Sequence, residues 1–236
     1  MFWGKEKKEG KKKSSFREWS ESLVVAIAGA LILRTFVIQA FKIPSSSMEE
    51  TLLVGDFLFV NKFIYGTHIP FTEKRILQFR DPKRGDVIVF RYPFRKRDFI
   101  KRCIAVEGDT IQVNNKLVYV NRKELQEPYA HHSDANLYDS HLRMDPEGYQ
   151  RTWEQGGFRQ GGMTRDNFGP VVVPKDHLFM MGDNRDNSDD SRFWGPLHKK
   201  FIKGKAIILY WSWKKHIPFY RMWEKVRWLR IGKLIQ

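Results

Sequence analysis

Three consecutive serines, Ser45-Ser46-Ser47, lie between Ile43-Pro44 and Met48-Glu49-Glu50. A serine hydroxyl is a competent nucleophile when a base poised near working pH can take its proton. Alone, the triplet reads as a turn, with Pro44 holding Ile43 extended. A candidate base is Lys101. Period two puts Phe99, Lys101, Cys103 and Ala105 on one face of a strand, and Ile100, Arg102, Ile104 and Val106 on the other. Among apolar neighbours an ammonium is disfavoured by desolvation, and the amine can act as a base near neutrality. The bland alternative is an edge lysine reaching solvent, as Lys96 should.

The densest polar stretch is Gly182-Asp183-Asn184-Arg185-Asp186-Asn187-Ser188-Asp189-Asp190-Ser191-Arg192-Phe193-Trp194-Gly195. Polar side chains between apolar strands are costly to hold near a core unless they satisfy one another. A calcium loop would need a central glycine and a terminal glutamate, and both are missing. A structured network fits better, with Asp190 or Asp183 paired to Arg192 and Ser188 as a small hydroxyl able to orient a neighbour. Other nucleophile schemes fit poorly. There is no Gly-x-Ser-x-Gly elbow, and Glu50 occupies the third position after Ser47, where a Ser-x-x-Lys pattern needs lysine. A Ser-His-Asp arrangement could use His177 or His198, but nothing singles either out. His131, His132 and His141 lack the spacing of metal ligands and read as solvated loop residues, so no metal and no cofactor are expected. The single cysteine, Cys103, excludes an internal disulfide.

The elements that must position these groups follow from patterning. The chain has 236 residues and a net charge of +15, of which the first 41 residues supply +4. Such an excess favours anionic surfaces. Residues 1–21 read as a basic tail. Residues 22–41 are apolar over a length that could cross a bilayer as one helix, interrupted at Arg34. The lysines before it place the tail in the cytoplasm and the rest outside. Ser47 would then lie within about 20 Å of the end of the span. Strand-like stretches follow at Leu52–Val60, Val87–Tyr92 and Asp98–Val106. Thr110–Val113 and Leu117–Val120 form a hairpin around Asn114-Asn115. Residues 121–170 are polar and read as an inserted subdomain or loops, with at most a hairpin. Residues 171–210 return to strands. The last segment, 211–236, interleaves tryptophan with basic residues and suits either a membrane interface or a helix packed on the domain. The expected fold is mostly β: a transmembrane helix followed by an extracytoplasmic antiparallel domain, 42–120 plus 171–210, carrying the insertion.

Ile43-Pro44-Ser45-Ser46-Ser47-Met48, Arg84–Phe90 with Asp98-Phe99-Ile100-Lys101-Arg102, and Gly182–Arg192 together resemble the successive boxes of bacterial type I signal peptidase. The resemblance covers roughly 22–120 and 171–210. It implies Ser47 as nucleophile, Lys101 as general base, and the Ser45 hydroxyl with the Ser47 amide as oxyanion hole. It further implies that Ser188 orients the Lys101 amine, with Asp183 and the pair Asp190–Arg192 in support. Shallow pockets for small substrate residues would be walled by Phe41, Ile43, Pro44, Leu52, Val89, Phe99 and Ile100, selecting an Ala-x-Ala end by steric rejection. Substrate would bind as an added strand. Ser46 departs from the glycine of many relatives, and one span is visible where many have two.

The implied partners are exported preproteins and an anionic membrane, with no nucleic acid and no second subunit required. The implied location is the bacterial cytoplasmic membrane, single-pass, with the catalytic domain outside. Two competing readings keep part of this evidence. A self-cleaving Ser–Lys regulator protease would carry a DNA-binding domain, which residues 1–41 do not supply. A membrane-tethered basic scaffold for lipid or nucleic acid leaves Gly182–Arg192 unexplained.

Overall fold

The computed structural model describes residues 15–32, 34, 37–68, 75–140, 142–159 and 164–236. Residues 1–14 of the expected basic tail and His141 lie outside them. Helix α1 spans Ser15–Ile32. The strands are β1 Ile38–Lys42, β2 Asp56–Asn61, β3 Tyr65–His68, β4 Arg75–Gln78, β5 Val87–Arg91, β6 Asp98–Val106, β7 Thr110–Asn114, β8 Leu117–Val120, β9 Lys123–Glu124, β10 Phe168–Val172, β11 His177–Met181, β12 Leu197–His198 and β13 Ile202–Ser212, with helix α2 at Pro146–Glu154 before β10. The fold is mostly β. The larger sheet runs β1-β2-β13-β5-β6-β11-β12, a smaller one β10-β7-β8-β9, and β3 pairs with β4. The strand pairs are antiparallel.

The expected helix over 22–41 is corrected here. Helix α1 starts earlier, at Ser15, and ends at Ile32, while Ile38–Lys42 pairs with β2 from Ile38↔Asn61 to Lys42↔Phe57. No helix among the described residues is long and apolar enough to cross a membrane. Apolar length alone does not separate a helix from a strand. In β1 the residues Ile38, Gln39, Ala40 and Phe41 alternate in exposure, as an edge strand on one sheet face requires. The strand expected from Leu52 begins only at Asp56, because Gly55 turns the chain at φ +92°. A Cβ there would meet the Trp213 carbonyl oxygen at 2.2 Å, so glycine is required.

Strand β2 buries Asp56, Leu58 and Val60 on one face, and Phe59 on the other stacks on Tyr210 with centroids 4.3 Å apart. Strand β6 is the central positioning element. It pairs with β5 from Val87↔Arg102 to Arg91↔Asp98, and with β11 from Leu178↔Val106 to Met181↔Arg102. Among the described residues, its first half therefore has no strand partner on the β11 side. The hairpin expected around Asn114-Asn115 is present, turning at Asn115 and Lys116, both with positive φ, as a two-residue hairpin turn demands.

Residues 121–170 hold a helix that patterning missed. Asp145 caps α2 by accepting from the Gly148 amide, and Pro146 opens its first turn. Trp153 is its one buried residue, packed with Phe168 and Phe179 and donating to the Ser191 carbonyl at 2.7 Å. The C-terminal stretch is neither a long helix nor detached. After short helical turns it returns to β13 through Trp213↔Val226 and Ile208↔Leu234. Arg230 closes on buried Asp56 at 2.6 Å, and the same carboxylate accepts from Ser212 Oγ at 2.6 Å. Trp153→Ala should cost about 3–5 kcal/mol, because it opens a large void and orphans the Ser191 carbonyl. Denaturant unfolding of the purified chain measures this; a loss below about 1 kcal/mol would contradict the packing described.

Candidate active site

Ser47 and Lys101 meet. Lys101 Nζ donates to Ser47 Oγ at 2.6 Å. The triplet lies in the turn between β1 and β2, and Lys101 projects from the fourth position of β6. The amine-bearing residue is 3 % exposed. Burial lowers its pKa to about 8, a shift that Asp190 and Asp189 oppose and Arg192 assists. At that value a substantial fraction of the amine is neutral near pH 8, so its lone pair can take a hydroxyl proton. Phe99, two residues before it on the same face, lies 5.6 Å beneath the nitrogen. The period-two reading of this strand thus put the lysine on the correct face.

A groove of about 390 Å³ runs past both groups, lined by Pro44, Ser45, Ser46, Ser47, Phe99, Ile100 and Lys101 with Arg97, Asp98, Asn187 and Asp189. Three of the seven expected pocket residues, Pro44, Phe99 and Ile100, are on its wall. Ile43, Leu52 and Val89 are buried behind it in one apolar cluster with Met48 and Leu58, against which Phe41 packs. Ser45 is exposed at the groove.

The polar box surrounds the pair as a network. Asp190 accepts from Arg192 Nε and Nη2, each at 2.9 Å, and both residues are buried. Burial alone would raise the Asp190 carboxyl; the Arg192 charge and hydrogen bond, the Lys101 charge and the Ser188 hydroxyl together outweigh it, so the acid is held below its ordinary range. The sequence left Asp183 or Asp190 as the partner of Arg192, and the structure separates them. Asp183 instead accepts from Arg102 Nε and Nη2 at 2.8 and 2.7 Å, and from Thr51 Oγ1 at 2.6 Å. Ser188 Oγ is buried and close to the Asp190 carboxylate, yet makes no well-formed hydrogen bond among the described residues, including none to Lys101.

Sequence reasoning missed several members. The Asn184 amide donates to the Ser47 carbonyl at 3.2 Å, and its side chain donates to the Ser46 carbonyl at 3.2 Å. Arg185 makes a two-point contact with Glu127 at 2.6 and 2.7 Å, and Arg102 stacks 3.8 Å over Tyr129. Glu127 and Tyr129 have no local signal; they belong to the motif-free stretch after β9. His131 is also not a plain solvated residue. The His131 amide donates to the Asp183 carbonyl at 2.7 Å, and His132, exposed as expected, lies 3.7 Å from Asp186, with partial desolvation lowering its pKa. His177 and His198 face each other across β11 and β12, and the Ser47 hydroxyl is met by Lys101 instead. Among the described residues, no cluster of metal-binding side chains occurs.

A mostly β domain with a serine hydroxyl against a buried lysine amine, in an open groove, has the architecture of a serine hydrolase that uses lysine where others use histidine. The chain belongs to the signal peptidase family, peptidase S26, whose model matches residues 16–211. It is 38% identical to a signal peptidase I of Aquifex aeolicus over 81% of this chain and 83% of that one. It is 36% identical to one of Pseudomonas fluorescens (85% and 76%), and 33% identical to signal peptidase I P of Bacillus subtilis subsp. natto (86% and 93%). A crystal structure of a signal peptidase I from Enterococcus faecalis V583 matches at TM-score 0.36 and 23% identity, covering 53% of this chain and 97% of that one, too slight a likeness to carry any argument.

Gly182 gives the site its tightest constraint. A Cβ there would meet Ser188 Oγ at 2.3 Å and the Ser47 carbonyl oxygen at 2.4 Å. Gly182→Ala must therefore push the nucleophile turn away from the amine. A displacement of about 1 Å costs on the order of 100-fold in rate. The expected outcome is kcat/KM down by at least that order with the far-ultraviolet circular dichroism of the wild type retained.

Proposed function

We propose that Ser47 attacks the scissile carbonyl of a preprotein while Lys101 takes the hydroxyl proton. The observation that carries this reading is the 2.6 Å contact between the two side chains, with the amine buried. As a member of its family the chain is a serine endopeptidase that removes signal peptides. Attack forms a bond from Ser47 Oγ to the carbonyl carbon; the proton passes to Lys101 Nζ and then to the leaving amine, giving an acyl-enzyme. Water activated by the same amine hydrolyses that ester and restores Ser47.

The Ser47 amide and the Ser45 hydroxyl, both beside the groove, are the proposed donors to the developing oxyanion. Ser188 is the proposed orienter of the amine, a reading supported by its buried hydroxyl beside the Asp190 carboxylate, whose charge acts on Lys101. Asp183, Asp190 and Arg192 hold the box around the amine. Extended substrate would lie along the first half of β6, whose β11 side has no strand partner among the described residues, with Pro44, Phe99 and Ile100 limiting side-chain size. Phe41, Ile43, Leu52 and Val89 shape those pockets from beneath.

Residues 42–120 and 171–210 are the proposed catalytic region, with 121–170 inserted. The substrates are exported preproteins, processed at the outer face of the bacterial cytoplasmic membrane. An N-terminal anchor with the tail inside is supported by apolar residues of α1 left exposed, among them Val24, Val25 and Leu31. An anionic lipid contact for 211–236 is supported by Trp223, 79% exposed, and Leu229, 101% exposed, with Lys215 and Lys233 exposed in the same segment. The domain needs no second subunit for the pair to form.

Cleavage of a detergent-solubilised preprotein ending in Ala-x-Ala tests the reading. Ser47→Ala and Lys101→Met should each lower kcat at least about 1,000-fold, the scale on which one member of such a unit is lost. Activity surviving in either would remove that residue from the mechanism. Only the neutral amine is a base, so kcat/KM of the wild type should rise with pH through about 8 and level off above it. A profile flat from pH 6 to 10 would contradict a titrating lysine.

A further inference from the structure

The box contains four aspartates, and three are buried and engaged. Asp183 is held by Arg102, Asp190 by Arg192, and Asp186 by Lys116 and the Asp134 amide. Asp189 differs. Its side chain is 51% exposed, it lies on the wall of the groove that holds Ser47 and Lys101, and its ion-pair contact is long: Arg97 Nη2 at 4.0 Å. Arg97 comes from the loop between β5 and β6 and reaches the same groove. Its guanidinium rests on the Phe99 ring at 4.7 Å and near Tyr92 at 5.6 Å, so its position is fixed by stacking rather than by Asp189.

We propose that Asp189 is a specificity-determining residue, a carboxylate that favours a cationic substrate side chain beside the scissile bond and rejects an anionic one, with Arg97 as the internal counter-ion that substrate partly replaces. This rests on the Ser47–Lys101 reading, which sets where the bond lies. An extended substrate alternates its side chains. If the first and third upstream residues point into the apolar wall, the residues between and beyond them face the rim, where Asp189 and Arg97 stand. A half-exposed, 4.0 Å pair is weak enough to yield to a better-placed lysine. The sign is informative because the chain as a whole carries +15. Whatever part of that charge escapes screening favours acidic substrates, so a preference for lysine must come from local charge.

The test uses the full chain in detergent and preproteins ending in Ala-x-Ala. Each carries Lys, Gln or Glu at the second upstream, first downstream or second downstream position. The readout is the ratio of kcat/KM for the Lys and Glu forms, in which any general loss of activity cancels. Wild type should favour Lys roughly five-fold in at least one of these positions, the scale of a half-exposed ion pair. Asp189→Asn should bring that ratio to about one, Asp189→Glu should retain it, and Arg97→Gln should raise it. A ratio unchanged by Asp189→Asn in all three positions, or lowered by Arg97→Gln, overturns the proposal. Those outcomes leave the catalytic reading intact, whereas cleavage surviving Ser47→Ala would remove the reading beneath it.

Discussion

The site depends on keeping one amine out of water. An ammonium stripped of solvent is disfavoured, and that penalty brings the Lys101 pKa down to about 8, as the proposed base requires. Any unpaired acid nearby would undo the effect by favouring the charged form. The density of aspartates around Lys101 is compatible with a neutral amine because the nearest buried ones carry their own counter-ions. Asp190 raises the Lys101 pKa and Arg192 lowers it to a lesser degree, so the arginine offsets part of what its partner carboxylate would do to the amine. A buried ion pair contributes little net stability. Here its value is to temper the field of Asp190 beside the amine, leaving desolvation the dominant influence.

Burial of the amine is useful only if the hydroxyl is brought to it, and the two arrive from segments 54 residues apart. Their registration runs through the box. The Asn184 amide holds the Ser47 carbonyl, and Gly182 lets that carbonyl approach closer than any side chain would permit. Thr51, in the same turn as Ser47, bonds Asp183, which is clamped by Arg102, the residue after Lys101. One carboxylate therefore touches both halves of the site. From the other side, Arg230 holds the Thr51 carbonyl at 2.9 Å and Arg227 the Val54 carbonyl at 3.0 Å. The turn that carries the serine is fixed by long-range hydrogen bonds in place of regular secondary structure, as a loop presenting a reactive group on a rigid scaffold must be.

What could be read from sequence follows the range of the forces involved. The face of Lys101 is a local property of a strand and was legible from period two. So was the hairpin at Asn115, where two consecutive positive φ values need a turn-forming pair. The crowding at 183–190 signalled a satisfied network, but not its partners, since Asp183 chooses Arg102 over Arg192 through tertiary placement. Apolar length misled at 38–41, the end of the expected helix, because β-branched and aromatic residues near Ile38 suit a strand as well as a helix. Helix α2 escaped for the opposite reason: it buries only Trp153, too sparse a stripe to show a period. Glu127 and Tyr129 act on the box from a stretch without motif, and nothing local marks them.

The surplus of positive charge invites the idea that it keeps Lys101 neutral, but distance argues otherwise. Exposed charges farther away than about 8–10 Å are largely screened at physiological salt, so most of the +15 does not reach the site. The groups that shift the amine are desolvation first and then Asp190, Asp189, Arg192 and Asp183. The distributed charge bears instead on the proposed membrane contact, where lysines and arginines would approach a dense anionic surface together. The two electrostatic problems are thus separated by length scale. Groups a few ångströms away set the environment of the amine, and the charge spread over the surface would serve the proposed contact with lipid.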